Sequence, residues 1–457
     1  MDSKLGNNME LGTENTAAVG GSAGTGGKEA AAGSAGTGGK ELAGGGMAGT
    51  GGMNKVSSAI IAVAFLLIIT LMAAGTLQDA TEPMADIARQ AVSREMKGGF
   101  TGAIAEINLK FEDSIAQRSN FIDVFGLVQR AMGKHEVDNY ALIKDEGGML
   151  HLAGGSGVGQ ISDDAKEDRL PKYINNISAL HRYVTDSGRG FLMVEAPSTD
   201  LGEGYTLFPP GVGSADNTNI DGLLAGAAER GVPFIDVRDL FEGLKPDELR
   251  YRTDHHWAMP LVFKAFAATR DRLNSDYGYG LDPDGVYTDI DNYEKIVYEG
   301  TFLGSAGIRV GKYYAGMDDF ALYIPKFDTD LKLEEFKQGH KPAGEYSGSF
   351  REAFIDESSL EPDHMNKYQA YLKNGYVENF IENRKSDNDL KCLFISDSYG
   401  RPYAQYLSLL FRETVVIDAS RTNRFTGNVK EYIDEQDPDV VICMSSGHSV
   451  WHKLKGF

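Results

Sequence analysis

The chain of 457 residues carries 66 Asp and Glu against 45 Lys and Arg, a formal net charge of −21, and no cluster of basic residues. This balance argues against nucleic acid as a partner, because phosphate binding needs Lys and Arg gathered on one surface. Cys392 and Cys443 are the only cysteines, and two so far apart make no zinc motif. Each lies in an apolar run, where a thiol is ordinarily a small buried hydrophobe, and a disulfide would need Cα atoms within about 7 Å, which spacing does not establish.

Residues 1–54 are dominated by Gly, Ala, Ser and Thr, and Gly-Ser-Ala-Gly-Thr-Gly-Gly-Lys-Glu occurs twice, from Gly21 and from Gly33. With almost nothing to bury, the segment is expected to stay a disordered coil; Met53 is an alternative start. No charge appears from Val56 to Gln78, and an apolar run of this length suits a membrane-spanning helix of about 20 residues over 55–76. Lys55 precedes it and Asp79, Glu82 and Asp86 follow, so the positive-inside bias predicts a single-pass protein of the cell membrane with a cytoplasmic N-terminus and the remainder outside. A cleaved signal peptide ending near Ala73-Ala74-Gly75, or a buried core helix, are the competing readings.

Residues 77–135 show helical spacing (Ile87, Ala91, Val92, Met96, then Ile104, Ile107) and read as a stalk. Tyr140 to Leu152 reads as a hairpin around Asp145-Glu146-Gly147-Gly148. Then an alternation begins: a helix over 170–186 with Pro171 in its first turn, a buried strand over 190–197, a helix over 219–230, a strand over 232–237 and a short helix over 238–244. It resumes with a strand over 390–395, a helix over 402–411, a strand over 414–418, a helix over 428–436 and a strand over 439–444. Such alternation predicts an α/β domain over 136–457 with a parallel sheet and crossover helices. Between the halves, 260–389 reads as an insertion, with helices over 261–274 and 377–384 and strands over 293–298 and 320–324. An insertion of this length beside a site shapes access to it.

Two segments carry the chemistry. Leu393 to Ile395 runs into Ser396-Asp397-Ser398-Tyr399-Gly400, a turn that exposes a serine at the end of a strand, and Thr253-Asp254-His255-His256-Trp257 supplies a carboxylate and an imidazole two residues apart. A serine nucleophile needs a base to take its proton and an acid to fix the base's tautomer. Ser398, His256 and Asp254 are the candidates; the competing readings are an N-cap serine for Ser398 and a metal site for Asp254, His255 and His256. Ser396 is a second candidate nucleophile and His255 the alternative base. Trp257 is a packing residue or a platform for a sugar ring. The backbone N–H of Ser398 or Tyr399 is a candidate oxyanion donor.

These segments resemble the family named for Asp-His-His-Trp and the bacterial alginate-acetylation proteins with an SGNH-hydrolase-like domain, closely over Asp254 to Trp257 and Asp397-Ser398-Tyr399 and more loosely from about Phe111 onward. The resemblance implies a circularly permuted SGNH-hydrolase-like sheet, in which the half bearing Asp254 and His256 precedes the serine half. It implies an O-acetyltransferase of a cell-envelope polysaccharide or exopolysaccharide, or else a carbohydrate acetylesterase. The acetyl donor would come from a membrane-bound O-acyltransferase (MBOAT) partner, since the chain has no nucleotide or coenzyme A signature and no cofactor is expected. A non-catalytic polysaccharide-binding subunit is the reading of a different class. Gly304 and Ser305 resemble a recurrent glycine segment of these proteins, Ser446 or His448 stands where SGNH enzymes carry an asparagine, and Arg421 is a candidate substrate holder.

Overall fold

Unbroken apolar runs become central strands, because only a strand covered on both faces can bury every side chain. All seven residues of Gly190–Ala196 are buried, and so are most of Lys391–Ser396 and Val440–Ser446. These strands belong to the domain of a computed structural model that describes residues 118–457 apart from 138–139, 153–168, 376, 420, 423–428, 447–449, 451–453 and 455–457. The expected tail, the expected anchor over 55–76 and most of the stalk lie outside the described residues. Among the described residues no helix is long and apolar enough to cross a membrane.

In chain order the strands are β1 (Glu136–Val137), β2 (Leu142–Lys144), β3 (Leu150–Leu152), β4 (Gly190–Ala196), β5 (Phe234–Asp236), β6 (Tyr293–Phe302), β7 (Asp318–Pro325), β8 (Leu331–Lys337), β9 (Lys341–Gly348), β10 (Glu378–Asn383), β11 (Lys391–Ser396), β12 (Glu413–Asp418) and β13 (Val440–Ser446). The main sheet runs β5-β4-β13-β11-β12-β10-β8-β9. Its first five strands are parallel, and both halves of the alternation contribute to them. Helices Leu170–Asp186, Asp216–Glu229 and Val429–Gln436 cover one face, packing on Phe191, Met193, Leu393, Ile395 and Val441. Helices Met259–Tyr277 and Gly400–Leu407 cover the other, on Leu192, Val194, Phe394 and Ile442.

The sheet departs from expectation in being mixed. β10, β8 and β9, all from the insertion, extend it with antiparallel neighbours. The helix expected over 377–384 is strand β10: Val377, Phe380 and Ile381 fit a helical spacing, but the backbone pairs with β12 on one side and β8 on the other, and two ladders of tertiary hydrogen bonds outweigh a weak local preference. The insertion also forms the separate hairpin β6–β7.

The strand ends position the site. Ser396 pairs with Asp418 and Ser446 with Ala196, so the carboxyl ends of β4, β13, β11 and β12 form one level edge, where parallel sheets bind ligands. The cysteines lie on adjacent strands but opposite faces: Cys392 packs with one core cluster and Cys443 with the other. Burial raises both thiols far above their ordinary value. Both should therefore resist a thiol reagent in the native protein and react only after denaturation, with no mobility difference between reduced and non-reduced samples; a thiol titrated natively would contradict this placement.

Candidate active site

The loop between the helices Pro246–Leu249 and Met259–Tyr277 is folded on itself by an antiparallel bridge between Arg250 and Trp257. At its tip Asp254 is fully buried. A buried carboxylate is costly unless its oxygens are taken up by donors, and here they are. Asp254 Oδ1 accepts the His256 backbone N–H at 2.9 Å and the His256 Nδ1–H; Oδ2 accepts the Ser305 N–H at 2.6 Å. With Nδ1 carrying the proton, Nε2 of His256 presents its lone pair to Ser398 Oγ at 2.9 Å. The acid, the imidazole and the hydroxyl thus stand in one hydrogen-bonded line.

The surroundings keep that line rigid. His256 lies between the ring of Tyr368, stacked at 3.8 Å and 12°, and that of His255 at 3.9 Å. Tyr368 also donates to the Ser398 carbonyl at 3.1 Å. Thr253 is fixed by Asp318, which accepts both its N–H and its hydroxyl at 2.8 Å. The buried guanidinium of Arg250 donates to the carbonyls of Asp254 (2.9 Å) and Leu150 (3.0 Å). On the serine side, Asp397 clamps the turn: Oδ1 accepts the Tyr399 N–H at 2.9 Å, and Oδ2 accepts the N–H and hydroxyl of Ser446, each at 3.0 Å.

These contacts distribute the other sequence-chosen residues. The Gly304 N–H donates to Thr253 Oγ1 at 2.9 Å and Ser305 holds Asp254, so this segment braces the acid and does not face the serine. His255 Nδ1 meets Ser305 Oγ at 2.8 Å, and the Tyr399 hydroxyl bonds the His255 carbonyl. Trp257 is buried, with its indole N–H on the Tyr399 carbonyl at 2.9 Å, a packing position closed to a sugar. Ser396 is buried under Gly400, where an added Cβ would stand 2.2 Å from its Oγ. The Tyr399 N–H is spent on Asp397, whereas the N–H of Ser398 has no partner among the described residues and remains available to an oxyanion. His448 lies outside the described residues.

Arg401 and Tyr368 also belong to the site, and no motif in the sequence marks them. Arg401 stands three residues after Ser398, in the first turn of the helix Gly400–Leu407 that follows the serine turn, and that nearness in sequence was the available signal. Its Nη1 donates to Asn374 Oδ1 at 3.1 Å, and Arg421 Nη1 donates to the neighbouring Gly375 carbonyl at 3.1 Å. Burial and the nearby Arg421 push the Arg401 guanidinium down to about 10, so it remains charged at neutral pH. Tyr368 comes from the insertion and had no motif to mark it.

Burial alone would raise the Asp254 carboxyl, but the two imidazoles and the Ser305 N–H outweigh it and hold the group far below the usual carboxylate range. Burial pushes His256 below its ordinary value of 6.5, and Arg401 adds to the lowering while Asp254 opposes it. At neutral pH the arrangement is therefore a carboxylate beside a neutral imidazole, the state that can accept a proton from a hydroxyl. Asp254, His255 and His256 also lie close enough to hold a cation. Three N–H groups already occupy the Asp254 oxygens and His256 Nε2 faces Ser398, so the donor set is committed to hydrogen bonds and fits a metal poorly.

No protein-family model and no curated protein matches the chain. Solved structures do. Bacillus cereus PatB1 with a sulfonyl adduct superposes with a TM-score of 0.53 at 15% identity, covering 68% of this chain and 94% of PatB1. A second PatB1 structure gives 0.52 at 16%, covering 69% and 97%. The chain shares the PatB1 fold. A DHHW family protein from Eubacterium siraeum reaches 0.49 at 16% identity, over 68% of this chain and 93% of its own. Identities this low speak to the fold alone.

Two outcomes follow from the geometry. A Cβ at Gly304 would lie 2.2 Å from Asp254 Cβ and 2.7 Å from its Cα, so Gly304→Ala must displace the acid. It should lower stability by roughly 1–3 kcal/mol, read from the denaturation midpoint, and slow turnover about a hundredfold through misplacement of the acid and base. Because the folded His256 value lies below 6.5, activity should be lost as pH falls through a single ionisation below 6.5 and stay flat from 7 to 8. A limb above 6.5 in kcat/KM would refute this assignment.

Proposed function

We propose that the protein is a membrane-anchored, extracytoplasmic O-acetyltransferase with a circularly permuted SGNH-type sheet, in which Ser398 carries an acetyl group from a donor to a polysaccharide hydroxyl. The observation that carries the reading is the 2.9 Å approach of His256 Nε2 to Ser398 Oγ with Asp254 on the opposite ring nitrogen. The choice of acyl group and acceptor rests on the resemblance of Asp254 to Trp257 and Asp397-Ser398-Tyr399 to the Asp-His-His-Trp and alginate-acetylation proteins. The shared fold with PatB1 is consistent with it, since a structure of that protein bears a sulfonyl adduct, and sulfonyl electrophiles are captured by activated nucleophiles.

In the first half-reaction Ser398 Oγ attacks the acetyl carbonyl carbon as His256 Nε2 takes the hydroxyl proton. The tetrahedral oxyanion is met by the Ser398 N–H, with the Arg401 charge nearby. Its collapse breaks the ester bond to the donor, whose leaving oxygen takes the proton from His256. In the second, an acceptor hydroxyl attacks acetyl-Ser398, its proton passes to His256 and then to Ser398 Oγ, and the acetyl ester of the sugar is released. Asp254 stays ionised and stabilises the imidazolium in both. With an MBOAT protein as the partner supplying the donor, the chain needs no nucleotide site of its own.

The test uses the full chain with an activated acetyl ester and a panel of oligosaccharides. Wild type should yield acetylated sugar by mass spectrometry, with slower release of free acetate when the acceptor is present. Ser398→Ala should lose about four orders of magnitude or more, and His256→Ala in the same chain should add little, because such residues act as a unit. A sulfonyl fluoride should modify Ser398 and no other serine. Free acetate unaffected by every acceptor would identify a hydrolase instead, and wild-type turnover in Ser398→Ala would sink the nucleophile.

A further inference from the structure

The helix Arg118–Ala131 packs inside out. Its buried positions are Asp123, Gly126 and Gln129, a small and polar seam set against residues 305–315, where a Cβ on Gly126 would come within 2.1 Å of the Val310 carbonyl oxygen. Its exposed positions include Phe121, Val124, Phe125 and Val128, with Met132 just beyond, each 42% exposed or more. These five recur at helical spacing and form one stripe. Tyr313, 46% exposed, continues the patch, and Arg130 reaches its carbonyl at 3.2 Å. A folded domain does not turn its apolar helical face to water without something to receive it.

The charge around the stripe says what that is. Residues 118–137 and 305–316 together hold five Lys and Arg (Arg118, Arg130, Lys134, Arg309, Lys312) against two carboxylates, Asp123 and Glu136, in a chain whose net charge is −21. Aromatic and aliphatic side chains on one side of a helix, with basic residues beside them, suit the boundary between acyl chains and anionic headgroups. We infer that this helix and Tyr313 lie on a bilayer surface carrying anionic lipid, holding the domain against the membrane. The inference rests on the anchored reading only for the nearness of a bilayer, about 40 residues upstream of the helix.

The experiment reconstitutes the full chain in liposomes of phosphatidylcholine and phosphatidylglycerol and attaches an environment-sensitive fluorophore at Val124→Cys; Cys392 and Cys443 are buried and stay unlabelled. The label should shift to the blue and be quenched by at least half by lipids spin-labelled near the headgroup, with quenching falling when phosphatidylglycerol is left out. A label at Glu229→Cys, on an exposed helix end remote in sequence, should do neither. A blue shift without lipid quenching means that protein, either a second copy or another part of this chain, covers the stripe, and overturns the inference; so does an unshifted label. A label at Leu67→Cys reports the anchor separately: if it escapes quenching the anchored reading fails, whatever Val124→Cys shows.

Discussion

The site depends on keeping one carboxylate ionised where no water reaches it. Asp254 is wholly buried, and removing an ion from water costs several kcal/mol unless donors replace the lost solvation. The replacement comes from three places in the sequence: the His256 backbone and ring, the Ser305 N–H, and the positive field of buried Arg250. Each constrains a different element. The loop must fold back on itself, residues 304–305 must approach without a side chain at 304, and Arg250 must bridge to β3. A change to any of these is felt first as a change in the orientation of one imidazole.

The inserted segment serves this arrangement from the other side. Tyr368 stacks on His256 and bonds the Ser398 carbonyl, joining base and nucleophile through one ring. The tip of the β8–β9 hairpin reaches over the sheet edge, where Gln338 bonds the Arg421 carbonyl and His340 meets Glu378 at 3.0 Å. Two guanidinium groups, Arg401 and Arg421, rest on the same turn at Asn374 and Gly375. The surroundings of Arg401 and Arg421 are therefore built from a hairpin, a turn and a helix start that share no local pattern.

What was legible in the sequence follows from range. The helix Leu170–Asp186 was visible at both ends because Pro171 and an apolar spacing are local signals, and β4, β11 and β13 because unbroken apolar runs admit few alternatives. The motif segments placed Asp254, His256 and Ser398 in view, although the hydrogen bond joining the last two spans 142 residues. Local sequence is silent where the deciding contacts are distant. β10 looked helical because its two partner strands lie elsewhere in the chain. Gly304 and Ser305 were recognised by letters, but their task beneath Asp254 was not, since nothing nearby in sequence shows which way an N–H points. Tyr368 was one tyrosine among 21.

The position of β13 has a consequence for how the molecule comes into being. It follows every other described strand in sequence, yet it lies in the middle of the sheet, between β4 and β11. Until Val440 to Ser446 has emerged from the ribosome, the two halves have no strand to join them and β4 and β11 each present an unpaired edge. Closure waits for pairings between residues some 250 positions apart, as between Val441 and Phe191, and chain topologies dominated by such distant contacts fold slowly and expose sticky edges meanwhile. A nascent chain would thus remain unable to join its two halves and clamp its nucleophile turn until Val440–Ser446 has been made, and truncation before Val440 would delete the keystone of the sheet.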